Sequence, residues 1–298
     1  MKKILLQSFL LFSVCLCSCF SKKKTYEAVR VRGSDSEVNL VQALAESYMN
    51  KDNAVSIGVT GGGSGAGIAG LINKKTDLAN SSREFTKEES YYAAKRGVKP
   101  YPIIFALDAI AIVVHKDNPL NTISMQDISS IYSGKTTEWK KLKGVEGRII
   151  TYGRQSSSGT YLYFRENIVK DEYITNMIGM SGTAQIVEAV KSDRNGIGYV
   201  SSGYLSPEIL KQVKVLKVKE NAQAQDYNPI DKQNIEKSLY PIIRPLLQYT
   251  NNAPSGKLLQ FIHYELSDAG VEIIEKNGFQ KVSGKFLQKN TQLLLADK

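Results

Sequence analysis

Four short segments concentrate the residue types that can grip an anion. They are Gly33-Ser34-Asp35-Ser36, the run Gly61 to Gly67 around Ser64 and Gly65, Asn80-Ser81-Ser82-Arg83, and Arg154 followed closely by Ser156, Ser157, Ser158, Gly159 and Thr160. Hydroxyls and backbone amides donate hydrogen bonds, a guanidinium adds a forked positive charge, and glycine lets a backbone come close to a bound group. An arginine and a run of hydroxyls at a helix start bring outward amides and the positive end of the helix dipole as well. Each segment also has a plainer use. Ser34 and Asp35 suit a helix cap, and Arg83 suits a surface pair with Glu84. All four stand between a strand and a helix, where ligands of α/β sheets bind, and this shared placement favours one oxyanion site.

Other chemistries fit less well. Gly65, Gly67 and Gly70 match G-x-G-x-x-G, but the glycine run begins too early and no acidic residue ends the next strand. Ser133-Gly134-Lys135-Thr136 carries the end of a nucleotide P-loop, yet Ser129 stands where its first glycine must be. The rival from another class is a secreted serine hydrolase or phosphatase with Ser64 or Ser158 as nucleophile, since Gly62 to Ala66 nearly forms G-x-S-x-G. It needs a base. His115 closes an apolar strand and His263 sits in a helical pattern, so both read as structural or exposed. Two isolated histidines, with no cysteine after Cys19, predict no metal cluster, and no cofactor is expected. Lys140, Lys141 and Lys143 lack interleaved aromatics and argue against nucleic acid, while Trp139 reads as a packing residue.

The elements that must position these loops alternate. Ala28 to Gly33 reads as a strand, Val38 to Met49 as an amphipathic helix and Val55 to Thr60 as a strand. After the glycine loop come a helix near Ile68 to Lys74, a strand at Asp77 to Asn80, a helix near Lys87 to Arg96 and the apolar run Pro102 to His115. Ser124 to Tyr132, Gly159 to Ile168 and Ala184 to Ser192 read as helices, with strands at Arg148 to Tyr152 and Gly196 to Val200. Asn221 to Pro229 looks like a linker, and Glu265 to Asn277 is expected to close the fold as a helix. The pattern predicts α/β architecture with mainly parallel sheets.

The chain has 298 residues, 42% hydrophobic and 23% charged, which suits about two globular domains and excludes a disordered or polytopic membrane protein. Lys2, Lys3 and the apolar stretch to Phe20 form a secretory signal, and removing those two lysines takes the formal charge from +10 to +8. All three cysteines, Cys15, Cys17 and Cys19, lie in this stretch. Leu16-Cys17-Ser18-Cys19 resembles a bacterial lipobox, so Cys19 is expected to be lipidated, with Lys22 to Lys24 as a basic tether outside a membrane.

Taken in order, the four loops, Asp108 within Leu107 to His115, Ile131 to Trp139 and Gly196 to Val200 closely resemble the phosphate-binding lipoproteins of bacterial phosphate-specific ABC transporters, from about Val29 to Val282. The resemblance implies a type II periplasmic-binding-protein fold, two α/β lobes with a ligand cleft between them. It places a signal peptide at 1–18, the lipidated cysteine and tether at 19–26, lobe 1 at 27–106 plus 240–298, and lobe 2 at 107–239. It also implies a monomer without catalytic residues. This protein would be anchored on the periplasmic side of the cytoplasmic membrane and pass inorganic phosphate to transmembrane permease subunits served by a cytoplasmic ATPase. Carried over by residue, the phosphate site comprises Ser34, Asp35, Ser36, Ser64, Gly65, Ser82, Arg83, Asp108, Arg154, Ser158, Gly159 and Thr160. The third loop of such proteins often offers an aspartate, where this chain has Ser82. Near neutral pH phosphate keeps a proton and sulfate does not, so a carboxylate that accepts this proton would select phosphate. Asp35 is the expected acceptor and Asp108 the alternative. A site for another oxyanion, sulfate or molybdate, is the alternative reading within the same fold.

Overall fold

Alternation along Glu27–Gly33 (β1) buries Val29 and Val31 and exposes Arg30 and Arg32, so the strand lays its apolar face on helix α1 (Val38–Lys51) through Leu40, Val41 and Leu44. The computed structural model describes residues 26–142 and 146–295. The signal, Cys15, Cys17, Cys19, the tether Lys22 to Lys24, and Lys143 lie outside the described residues. Among those described, no helix is long and apolar enough to cross a membrane.

Strands β2 (Val55–Thr60) and β3 (Leu78–Ser81) flank β1 in parallel. Helices α2 (Ser64–Ile72) and α3 (Lys87–Lys95) complete the repeating units. The chain then enters β4 (Pro100–His115), whose sixteen residues extend about 50 Å at roughly 3.3 Å each. Its first part pairs antiparallel with β11 (Ile243–Asn251), which in turn joins β3. Its second part pairs antiparallel with β8 (Gly196–Ser201) and β9 (Val213–Lys219). β6 (Ile150–Arg154) extends that second sheet in parallel with β8 and with β7 (Ile178–Met180).

Four apolar clusters form among the described residues, the two largest lying one in each half. One gathers Val29, Leu44, Phe105, Phe261 and Ile262. The other gathers Ile112, Trp139, Phe164, Tyr199 and Leu216, with the rings of Phe164 and Tyr199 stacked 4.0 Å apart. The molecule is thus two α/β halves joined through β4 and β11, the arrangement of a periplasmic-binding-protein fold.

Several expectations change. The sheets are mixed rather than mainly parallel, because β11 returns against β3 and β4, and β8 and β9 run against β4. Helix α2 begins at Ser64, four residues before the expected start, and Gly67 explains why: a Cβ there would sit 2.4 Å from the Arg32 carbonyl oxygen, so glycine lets the helix press onto β1. The glycines of the G-x-G-x-x-G match are therefore helical. The helix expected from Gly159 ends as α5 (Gly159–Phe164) and passes into a π turn, Arg165–Val169. Glu265 to Asn277 does not close the fold. It spans the end of α9 (Gly256–Glu265) and all of α10 (Asp268–Lys276), and α11 (Gly284–Leu295) follows. Trp139 is fully buried, its indole N–H donating to the Asn195 carbonyl.

Candidate functional site

Three of the four loops come from the first half and one from the second, and they meet. Ser34 and Ser36 follow β1, Ser64 opens α2, Ser82 follows β3 and Thr160 lies in the first turn of α5. All five are at most 2% exposed. Their hydroxyls form one network. Ser34 Oγ donates to Ser82 Oγ at 3.1 Å, Ser64 and Ser82 Oγ are 3.3 Å apart, and Ser36 Oγ and Thr160 Oγ1 are 2.7 Å apart. The Ser82 amide donates to Ser64 Oγ at 3.1 Å.

Gly159 makes the meeting sterically possible. A Cβ there would stand 2.2 Å from Ser64 Oγ and 2.7 Å from Ser82 Oγ. Ser158 caps α5, its Oγ accepting from the Thr160 amide at 3.2 Å. Gly65 ties the halves together from the other side, its amide donating to the Ser157 carbonyl at 3.2 Å.

Arg154 ends β6 with 2% exposure, and its guanidinium is closely held. Nη2 donates to Asp35 Oδ2 at 2.6 Å and to the Ser181 carbonyl at 2.8 Å, and Nη1 donates to Thr183 Oγ1 at 3.2 Å. Its Nε is buried and unpartnered. The other Asp35 oxygen accepts from the Gly62 amide at 2.8 Å, and the Asp35 carbonyl accepts from the Tyr204 hydroxyl at 2.5 Å. Burial, reinforced by the Asp35 charge, pushes that phenol up to about 12.

Two expected residues stand apart from the hydroxyl network. Arg83 turns to Glu89, with two 2.7 Å contacts, and to the Glu84 carbonyl, because Glu89 lies one helical turn into α3 beside it. Its ionic partner is thus Glu89, and the Glu84 carboxylate pairs with Lys289. Burial works against the charge on Glu89, but the Arg83 hydrogen bonds and the Thr86 amide hold its carboxyl below the usual range. Asp108 is completely enclosed in β4. Its Oδ2 accepts from Arg244 Nε at 3.0 Å and Nη2 at 2.8 Å, and its Oδ1 from Ser201 Oγ at 2.7 Å. Burial raises the Asp108 carboxyl against the opposing pull of Arg244.

Arg244 is the residue that sequence reasoning missed. It is 0% exposed and faces Asp108 across the antiparallel β4/β11 pair. Its remaining Nη1 donates to Thr160 Oγ1 at 3.0 Å, inside the hydroxyl network. One signal was available: Arg244 is a lone charge between Ile242-Ile243 and Pro245-Leu246-Leu247, as Asp108 is within its own apolar run. Such a charge is buried only when paired.

Chemically, the arrangement offers hydroxyls, amides and two guanidinium groups from both halves. The described hydrogen bonds of Ser64 and Ser158 go to neighbouring hydroxyls and amides. His115 Nδ1 accepts from the Asp117 amide, and His263 is exposed on α9. Lys135, of the P-loop-like segment, pairs with Asp171 at the surface. Among the described residues, no group of three or more His, Cys, Asp or Glu side chains could hold a metal ion.

A sequence model of the PBP superfamily domain matches residues 21–269. The phosphate-binding protein PstS of Pseudomonas aeruginosa is 32% identical over 280 residues, covering 86% of this chain and 84% of that protein. PstS of Borreliella burgdorferi is 27% identical, covering 94% of this chain and 98% of its own. The crystal structure of a phosphate ABC transporter substrate-binding protein from Clostridium perfringens, with bound phosphate, superposes with a TM-score of 0.76 at 29% identity, over 86% of this chain and all of that one.

Proposed function

The chain belongs to the PBP superfamily, as a phosphate-binding protein of the ABC-transporter type, and from that premise we propose that it holds inorganic phosphate where the loops of its two halves meet. It binds phosphate for import by an ABC-type permease. The ligand set of this reading is Ser34, Ser36, Ser64, Ser82, Thr160 and the Gly159 backbone, with Arg154 Nε and Arg244 Nη1 as charged donors. Asp35 orients Arg154, and Asp108 orients Arg244. The observation that carries it is the convergence of five buried hydroxyls from both halves onto the space around Gly159. Fixed donors replace a water shell without reorganising, and charge-assisted hydrogen bonds contribute about 1.5 to 3 kcal/mol each. A cavity of about 700 Å³ reaches Ser82 past Arg83, Tyr163 and Pro245, and serves as the approach route.

The lobes divide near 27–106 plus 240–298 against 107–239, Cys19 carries the lipid, and the monomer works on the outer face of the cytoplasmic membrane. It performs no chemistry on its ligand. Equilibrium dialysis with labelled phosphate tests the site: wild type retains the label, and Thr160→Ala, which removes the hydroxyl shared by Ser36 and Arg244, loses most of it. Full retention by that variant places the ligand elsewhere.

A further inference from the structure

Beside the hydroxyl network lies a fully enclosed carboxyl group. Glu37 follows Ser36 at the N-cap of α1, is 0% exposed, and neither of its side-chain oxygens makes a hydrogen bond of normal geometry. The charged and titratable groups that act on it are Arg244 from β11, Asp108 from β4, Glu265 from α9 and Tyr204 from the turn after β8, with the Ser34 hydroxyl on its own loop. None is a spare cation. Arg244 is already held by Asp108 through two nitrogens and gives its third to Thr160, while Arg154 is matched by Asp35.

Two guanidinium groups thus face two carboxylates. The charge there is formally balanced while Glu37 and Glu265 are both neutral, and each adds a negative charge when it ionises. A bound anion and an ionised Glu37 occupy the same low-dielectric region and oppose each other.

We propose that phosphate binding is coupled to one proton held on Glu37: the neutral carboxyl adds no charge beside the incoming anion, and the ionised carboxylate weakens binding. This rests on the phosphate reading of the site. No covalent bond changes; where Glu37 is ionised in the free protein, it takes a proton from solvent as the anion enters. Burial drives the Glu37 carboxyl well above the ordinary range, with Arg244 opposing the effect and Asp108 and Glu265 adding to it.

Calorimetric titration of the wild-type protein with inorganic phosphate, from about pH 8.5 to about pH 10, in buffers of different ionisation enthalpy, counts the protons taken up while free phosphate is already a dianion. Coupling predicts uptake approaching one proton, with affinity falling about tenfold per pH unit once free Glu37 ionises. Glu37→Gln abolishes the uptake and flattens the slope; Glu265→Gln keeps the uptake and moves its onset to lower pH, because a charge that raises the Glu37 carboxyl is gone. Equal uptake in wild type and Glu37→Gln, or none in wild type, overturns the coupling and leaves phosphate binding standing. Should Glu37→Gln fail to fold, uptake that survives Glu265→Gln supports the coupling and uptake lost with it overturns it. A wild-type protein that binds no phosphate at any pH overturns the underlying reading, and the inference with it.

Discussion

Arg154 Nη2 lies 2.6 Å from Asp35 Oδ2, an ion pair between residues 119 positions apart that joins one half of the molecule to the other. The contacts of Ser36 with Thr160 and of Gly65 with Ser157 cross the same boundary. Asp35 therefore does two things. It fixes the orientation of Arg154, and it neutralises a guanidinium that would otherwise attract any oxyanion.

Removing the guanidinium tests the first role. Arg154→Ala is expected to weaken phosphate binding about 10- to 150-fold, the equivalent of about 1.5 to 3 kcal/mol for one charged hydrogen bond. Isothermal calorimetry measures it. Wild-type affinity in the variant would remove Arg154 from the site.

Removing the carboxylate tests the second. Asp35→Asn leaves Arg154 with an uncompensated charge, so binding of fully ionised sulfate should rise relative to phosphate in competition dialysis. An unchanged ratio would take selectivity away from Asp35.

Gly159→Ala adds a methyl group 2.2 Å from Ser64 Oγ. The added atom overpacks a buried seam between the halves, so phosphate affinity should drop at least about tenfold and stability should fall by about 1 to 3 kcal/mol in thermal unfolding. A variant that binds normally would show that the loops need not approach so closely.

The Asp108–Arg244 pair is completely buried, and breaking it strands a charge. Arg244→Met should cost about 3 to 5 kcal/mol of stability in urea unfolding. Asp108→Leu/Arg244→Met should recover most of it, as two apolar groups replace the pair. Phosphate affinity should stay low in both, because the donor to Thr160 is gone. Recovery of affinity in the double variant would make Arg244 purely structural.

Glu265 gives a pH signature. Burial raises its carboxyl from 4.5 to about 8, against a hydrogen bond from Gln248 that favours the charged form. The folded protein therefore holds a proton that the unfolded chain releases. Stability is greatest below the unfolded value and is lost as pH rises toward about 8, by up to about 1.4 kcal/mol per pH unit. Glu265→Gln should gain stability over wild type progressively from about pH 5 to about pH 8 in thermal unfolding. A constant difference between the two would contradict a buried neutral acid.

The loops around Ser34, Ser64, Ser82 and Ser158 were legible in the sequence because their signal is local: hydroxyls and glycines crowd between a strand pattern and a helix pattern. Arg244 was not, since its meaning depends on Asp108, 136 positions earlier and opposite it only after β11 folds back onto β4. The early start of α2 was hidden for a related reason. Glycine is a poor helix former, and packing of Gly67 against β1 outweighs that local preference. Arg83 shows the converse: its local partner Glu84 was visible, yet helix geometry brings Glu89 into better position.

The most direct measurement is calorimetric titration of the refolded, ligand-stripped protein with phosphate and then with sulfate near neutral pH. Tight binding of one phosphate per chain, with little or no heat from sulfate, is the expected result. Silence toward phosphate from a protein shown to be folded, or equal binding of sulfate, would contradict a phosphate site built on the meeting of these loops.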